Sequence, residues 1–274
     1  MLKKDLSKDE LDLFNEMTQD KKLDKILKKE IVKEAVKKNY INLVKYMHKQ
    51  RASWDLDILK EAAINGSLKC LGFLHKNSKK TWLRNSRKKF CKWQKSSKKS
   101  LYRDSDNIAT LAAAYGKLKC LKYLCENDFE YDAKTFSFAA LNNHLKCLKY
   151  LRKMKCPIDE YASIHAAFNG HLDILKYLYN SRLKISESAA SNAALNGHLD
   201  CLKYLYEKTK KIGDMAAAWA GSNGHLECLK YVWDKIEQKK IDLLTLRHIE
   251  MCYSTNQFVN EYHKTKKRVI QEKI

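Results

Sequence analysis

The chain has 274 residues, is 45% hydrophobic and 31% charged, and carries a formal net charge of +22. That apolar share is enough for a continuous core, while no run approaches the ~18 apolar residues of a membrane span, so no membrane role is expected. One proline and eight glycines leave little room for long flexible linkers.

In chain order, residues 1–34 are expected to form an N-terminal helical cap. Ser7 and Glu10 have the spacing of a capping box, and Leu11, Leu13, Phe14 and Met17 can cover the element that follows. The opening Met1-Leu2-Lys3-Lys4-Asp5-Leu6 lacks an apolar secretory core, which predicts an intracellular protein, cytoplasmic or nuclear.

From residue 35 to 236 one phrase recurs. Alanine pairs begin at Ala62, Ala112, Ala139, Ala166 and Ala193, with Ala220 in phase and a weaker early copy at Ala35. Most lie 27 residues apart, and a fixed period in this range marks a stacked array. In the unit Asp159–Tyr179, Asp159 can cap a helix through Ala166-Ala167. Asn169-Gly170 stops it, and Leu172, Ile174, Leu175 and Leu178 share the apolar face of a second helix. The cap site reads Asp55, Ser105, Asp132, Asp159, Ser186 and Gly213 across units. A helix–turn–helix of this kind cannot bury its apolar face alone, so seven units are expected to stack into one elongated all-α array.

Repetition also decides the cysteines and histidines. Cys70, Cys120, Cys147, Cys201 and Cys228 share one repeat position with Leu43 and Ile174, which predicts small buried core residues rather than disulfides or metal ligands. His144, His171, His198 and His225 each open a second helix, one per repeat, and cannot gather a tetrahedral metal site. No metal or cofactor is expected.

The period breaks once. Ala62 and Ala112 are 50 residues apart, and residues 76–103 hold twelve Lys or Arg and no acid. Lys79, Lys80, Trp82, Arg84, Arg87, Lys88, Lys89, Lys92, Trp93, Lys98 and Lys99 are candidate polyanion-binding residues, since cations neutralise phosphates and tryptophans can stack on bases. Two other readings stay open: a truncated repeat, in which Phe90-Cys91-Lys92-Trp93 echoes the second helix, and a nuclear-targeting cluster. On the second helices, Lys122, Lys149, Lys176, Lys203 and Lys230 recur in phase and are candidate partner-binding residues. Asp173, Asp200 and Glu227 stand three residues before the last three of them, whereas Lys119 and Lys146 precede the first two, so the ladder is expected to be unpaired near the insert and balanced beyond it. Residues 237–274 read as a degenerate C-terminal cap with a basic tail.

The segment Ala193-Ala194-Leu195-Asn196-Gly197-His198-Leu199-Asp200-Cys201-Leu202-Lys203-Tyr204-Leu205 resembles an ankyrin repeat, as does Asn223-Gly224-His225-Leu226-Glu227-Cys228-Leu229-Lys230-Tyr231. The likeness covers about residues 35–235 and is to a short subtype found in large DNA viruses of amoebae and some protists. The period is 27 rather than about 33, and Lys134-Thr135-Phe136-Ser137 stands where Thr-Pro-Leu-His would be. The resemblance implies an ankyrin-type helix–turn–helix solenoid without long hairpin fingers, working as a non-enzymatic protein-interaction scaffold. It would be a monomer with an unidentified protein partner, in a host cell if viral. The alternative is binding of nucleic acid or another polyanion, or nuclear targeting, through 76–103. No phosphate-cradling glycine loop, paired-carboxylate motif or nucleophile elbow points to catalysis.

Overall fold

A computed structural model describes residues 3–19, 23–78, 107–213 and 215–236. Among these residues there are fifteen α-helices and no strand. After a short turn at Lys3–Asp5 come α1 (Lys8–Thr18), α2 (Lys25–Lys37), α3 (Ile41–Lys49), α4 (Leu56–Asn65) and α5 (Leu68–Asn77). Beyond the break follow α6 (Ile108–Ala114), α7 (Leu118–Glu126), α8 (Ala133–Leu141), α9 (Leu145–Lys153) and α10 (Tyr161–Phe168). The series ends with α11 (Leu172–Asn180), α12 (Ala189–Leu195), α13 (Leu199–Thr209), α14 (Ala216–Ser222) and α15 (Leu226–Ile236). From α2 onward the helices pair into seven hairpins, an inner helix followed by an outer one, so the fold is the all-α repeat solenoid class that the period predicts.

Each hairpin is closed by the same backbone device. Asn39, Gly66, Gly116, Asn143, Gly170, Gly197 and Gly224 all adopt the left-handed conformation, with φ between 58° and 76°. The N–H of the next residue then reaches back five positions to the first alanine of the pair, as in His171 to Ala166 at 2.8 Å and Ser67 to Ala62 at 2.9 Å. This capping bond satisfies a carbonyl that the helix end would leave open. Ala35, Ala62, Ala112, Ala139, Ala166, Ala193 and Ala220 are all fully buried, because a larger side chain there would hold neighbouring inner helices apart.

The chain divides into two compact units: Met1–Thr135 with Lys146–Cys156, and Phe136–Leu145 with Pro157–Ile274. In the first, α4 packs directly on α6 and α5 on α7, although residues 79–106 separate them in sequence. The His75 ring and the Tyr123 hydroxyl lie 2.9 Å apart across the α5–α7 seam. The N-terminal capping box forms as expected, with Ser7 N–H donating to Glu10 at 2.9 Å. Glu10 does more than the sequence suggests. It is buried, and its second oxygen accepts the N–H groups of Asn42 at 3.0 Å and Leu43 at 3.3 Å, capping α3 as well. The 34/35 division drawn from the sequence falls inside α2, whose Ile31, Val32, Ala35 and Val36 are buried together.

In the second unit α10, α12 and α14 lie side by side, with α11, α13 and α15 behind them. Two imidazoles stitch successive repeats. His171 Nε2 lies 2.9 Å from the Leu141 carbonyl, and His198 is hydrogen-bonded to the Phe168 backbone, one repeat on.

The expected cap positions hold at Asp55 and Asp132, and the later helices start beyond them. α8 begins one residue after Asp132, which accepts the Thr135 N–H at 3.1 Å, but α10 begins two residues after Asp159 and α12 three after Ser186. In α12 and α14 a tight turn comes first, Ala189 N–H to Ser186 O at 3.2 Å and Ala216 N–H to Gly213 O at 3.0 Å, and it uses the residues expected to start the helix. Ser105 lies outside the described residues, and Asn107 caps α6.

Candidate interaction surface

The repeat places two faces at the surface. On the outer helices, Lys122, Lys149, Lys176 and Lys203 are exposed, and Lys230 is partly covered. Of the expected acid partners, Glu227 meets Lys230 at 2.8 Å. Lys203 instead sits over the Tyr231 ring of the next outer helix at 5.9 Å, and in the first unit Lys122 sits over Tyr150 at 5.7 Å. The ladder is therefore partly a cation–π ladder, in which a lysine of one repeat lies on a tyrosine of the next; such an exposed contact contributes about 0.5–1 kcal/mol. The sequence reading looked for partners within one helix and missed this, although the recurrence of Tyr123, Tyr150, Tyr177, Tyr204 and Tyr231 beside the lysines was the signal.

The inner face of the second unit is more apolar. Each inner helix has a pair of residues, three apart and so on one side, short of burial, namely Phe138 and Leu141, His165 and Phe168, Asn192 and Leu195, and Trp219 and Ser222, with Tyr161 and Ile164 of α10 also half-covered. Phe168 is 41% exposed. The His165 ring lies 6.3 Å from Phe138 and 6.1 Å from Tyr161, and burial lowers its pKa, against a backbone hydrogen bond at Ser137 and the nearby Asp159 carboxylate. The face is thus neutral and aromatic in its middle. The sequence pattern does not resolve these residues, because it also describes core positions.

The core thiols are the least reactive part. Cys70, Cys120, Cys147, Cys201 and Cys228 are buried and unpaired. Burial pushes Cys70 up to about 12 and the other four up to about 11. Among the described residues no group of three or more His, Cys, Asp or Glu could hold a metal ion, and no helix is long and apolar enough to cross a membrane. Lys79, Lys80, Trp82, Arg84, Arg87, Lys88, Lys89, Lys92, Trp93, Lys98 and Lys99 lie outside the described residues.

Residues 163–243 match a family model of ankyrin repeats in three copies. The crystal structure of the human ASB11 ankyrin repeat domain is similar at 18% identity and a TM-score of 0.47, over 65% of this chain and 82% of that one. No curated protein sequence matches this one.

Proposed function

Since the chain is an ankyrin repeat protein, a kind of protein that generally mediates protein–protein interaction, we propose that it is a non-enzymatic scaffold that holds a protein partner against the inner face of its second unit. The observation that carries this reading is the row of half-covered side chains Phe138, Leu141, His165, Phe168, Leu195 and Trp219 along the inner helices α8, α10, α12 and α14. Clustered aromatic side chains of this kind serve as binding anchors, and among the described residues no hairpin finger projects from the array, which leaves helix faces as the surface on offer. The partner segment is an apolar one with a neutral centre. The outer lysines Lys122, Lys149, Lys176, Lys203 and Lys230 are a second contact zone. The seven described cysteines, all buried and none in a disulfide, fit a reducing, intracellular compartment, which would be that of a host cell if the protein is viral.

Selection of displayed peptides against the full chain tests the reading. Enriched peptides should be apolar and should bind at least about tenfold more weakly to Phe168→Ala or Trp219→Ala, the size expected of an anchor residue. Enriched peptides indifferent to both substitutions would reject it.

A second reading rests on the twelve basic residues and absent acids of 76–103: that segment binds a polyanion or directs the protein to the nucleus. Deleting it and comparing nucleic-acid affinity and cellular distribution with the intact chain tests both, and no change in either would reject it.

A further inference from the structure

The four outer helices of the first unit, α3, α5, α7 and α9, carry charge of one sign. Lys45, Lys49, Lys69, Lys76, Lys119, Lys122, Lys146, Lys149, Arg152 and Lys153 are all exposed, and Glu126 is the one acid on these helices. Most acids on the unit's helices lie elsewhere: Asp9, Glu10, Asp12 and Glu16 on α1, Glu30 and Glu34 on α2, Asp57 and Glu61 on α4, while Asp128 and Glu130 follow α7 in the next loop. Lys29–Asp55, Lys37–Glu34 and Lys60–Asp57 pairs lie on those elements. In the second unit the outer helices are balanced: Lys176, Lys203, Lys208, Lys230 and Lys235 against Asp173, Asp200, Glu207, Glu227 and Asp234.

The four helices form one continuous face. His48 meets Phe73 across α3 and α5, His75 meets Tyr123 across α5 and α7, and Lys122 meets Tyr150 across α7 and α9. With axes about 8–10 Å apart, the face spans roughly 25–30 Å, close to one ~34 Å turn of duplex nucleic acid.

We propose that this outer face binds double-stranded nucleic acid through its phosphates, without reading sequence. A duplex presents one negative charge per ~1.7 Å of axis, the density that ten exposed cations over such a length complement. Stacking on unpaired bases is disfavoured, because the face's tyrosines are half-covered. The Tyr123 hydroxyl is held by His75 at 2.9 Å, and Lys122 lies over Tyr150. A lipid surface is disfavoured too, since among the described residues of this unit the exposed large apolar ones, Ile26 and Tyr115, lie off these helices. This inference stands apart from the inner-face reading and shares only Lys76 with the segment 76–103.

The test uses the full chain and a mixed-sequence duplex of about 30 base pairs in fluorescence anisotropy at ~50 and ~200 mM salt. Affinity should fall about 10³-fold or more between them, as six or more phosphate contacts require. Joint Lys119→Glu, Lys146→Glu, Arg152→Glu and Lys153→Glu should lower affinity at least ~30-fold, losing four such contacts. The control, Lys176→Glu, Lys203→Glu, Lys208→Glu and Lys235→Glu, changes net charge equally and should cost less than ~3-fold if the effect is local. The same four first-unit positions changed to Gln decide the matter if the Glu variant loses its helical circular dichroism. Equal losses in both sets would overturn the proposal in favour of bulk charge. No loss in either would overturn it in favour of 76–103, and tighter binding to anionic vesicles than to duplex would overturn it in favour of a membrane surface. Peptide capture at Phe168 should survive the first-unit substitutions, so the two readings fail separately.

Discussion

The His198 ring of one repeat sits so close to Gly170 of the repeat before it that a Cβ there would fall 2.6 Å from Nδ1. His225 stands in the same relation to Gly197, again at 2.6 Å. The turn glycine is therefore required twice, for its left-handed backbone and for the space the ring occupies. Gly66 shares the backbone conformation, but its virtual Cβ meets the Lys117 side chain at 3.0 Å, which can swing away.

That contrast separates two costs. Gly66→Ala should lose about 1–2 kcal/mol from the left-handed strain alone. Gly170→Ala should lose that and a further ~1–3 kcal/mol, because the imidazole must leave its place and its bond to the Phe168 backbone. Urea unfolding of the two variants measures the difference, and equal losses would show that the ring contributes nothing.

The buried thiols predict slow chemistry. Burial pushes Cys70 up to about 12 and Cys120, Cys125, Cys147, Cys201 and Cys228 up to about 11, and such a thiol presents almost no thiolate at neutral pH. They should react with a disulfide reagent only as the array opens, at a rate that tracks unfolding and rises with denaturant. Fast labelling of Cys147 or Cys201 in the native protein, located by mass spectrometry, would contradict this. Cys201→Ser should cost about 1–3 kcal/mol, since a hydroxyl without a partner replaces a small apolar group.

How much of this was legible in the sequence follows from what repetition can encode. Ala166 and Asn169-Gly170 recur, so the hairpin, its turn and its buried alanine were readable, as were the cysteine positions, where Leu43 and Ile174 stand in for the thiol. The inner-face anchors were not. Phe138, His165, Asn192 and Trp219 occupy one repeat position with four different chemistries, and a surface that varies leaves no periodic signal. Glu10 was read as one half of a capping box because local spacing shows only local partners; its bonds to Asn42 and Leu43 span more than thirty residues. The cation–π contacts were missed for the same reason, since Lys122 and Tyr150 meet across a helix seam.

Two histidines set a pH dependence. Burial lowers the pKa of His165 and of His198 below the ordinary value of 6.5. Below that value the unfolded chain takes up protons that the folded rings resist, so stability falls as pH drops through about 6.5 and is full above it. Each ring contributes a slope of at most ~1.4 kcal/mol per pH unit in that window. His165→Phe, which keeps an aromatic ring between Phe138 and Tyr161, should flatten the slope. Urea midpoints at pH 7.5 and 5.5 measure it; a slope unchanged in the variant would place the effect elsewhere.

Glu10 gathers three backbone donors at the start of the first unit. Its two oxygens accept the N–H groups of Ser7, Asn42 and Leu43, tying the starts of α1 and α3 with a single carboxylate. Hydrogen bonds to a charged acceptor contribute about 1.5–3 kcal/mol net, so Glu10→Ala should lose at least about 2 kcal/mol. Glu10→Gln keeps the shape but turns an amide N–H toward one set of donors, and should lose about half as much. If the bond to α3 matters, hydrogen exchange at Asn42 and Leu43 should accelerate in both variants, while amides in the second unit keep their protection. Unchanged protection at those two amides would reduce Glu10 to a local cap of α1.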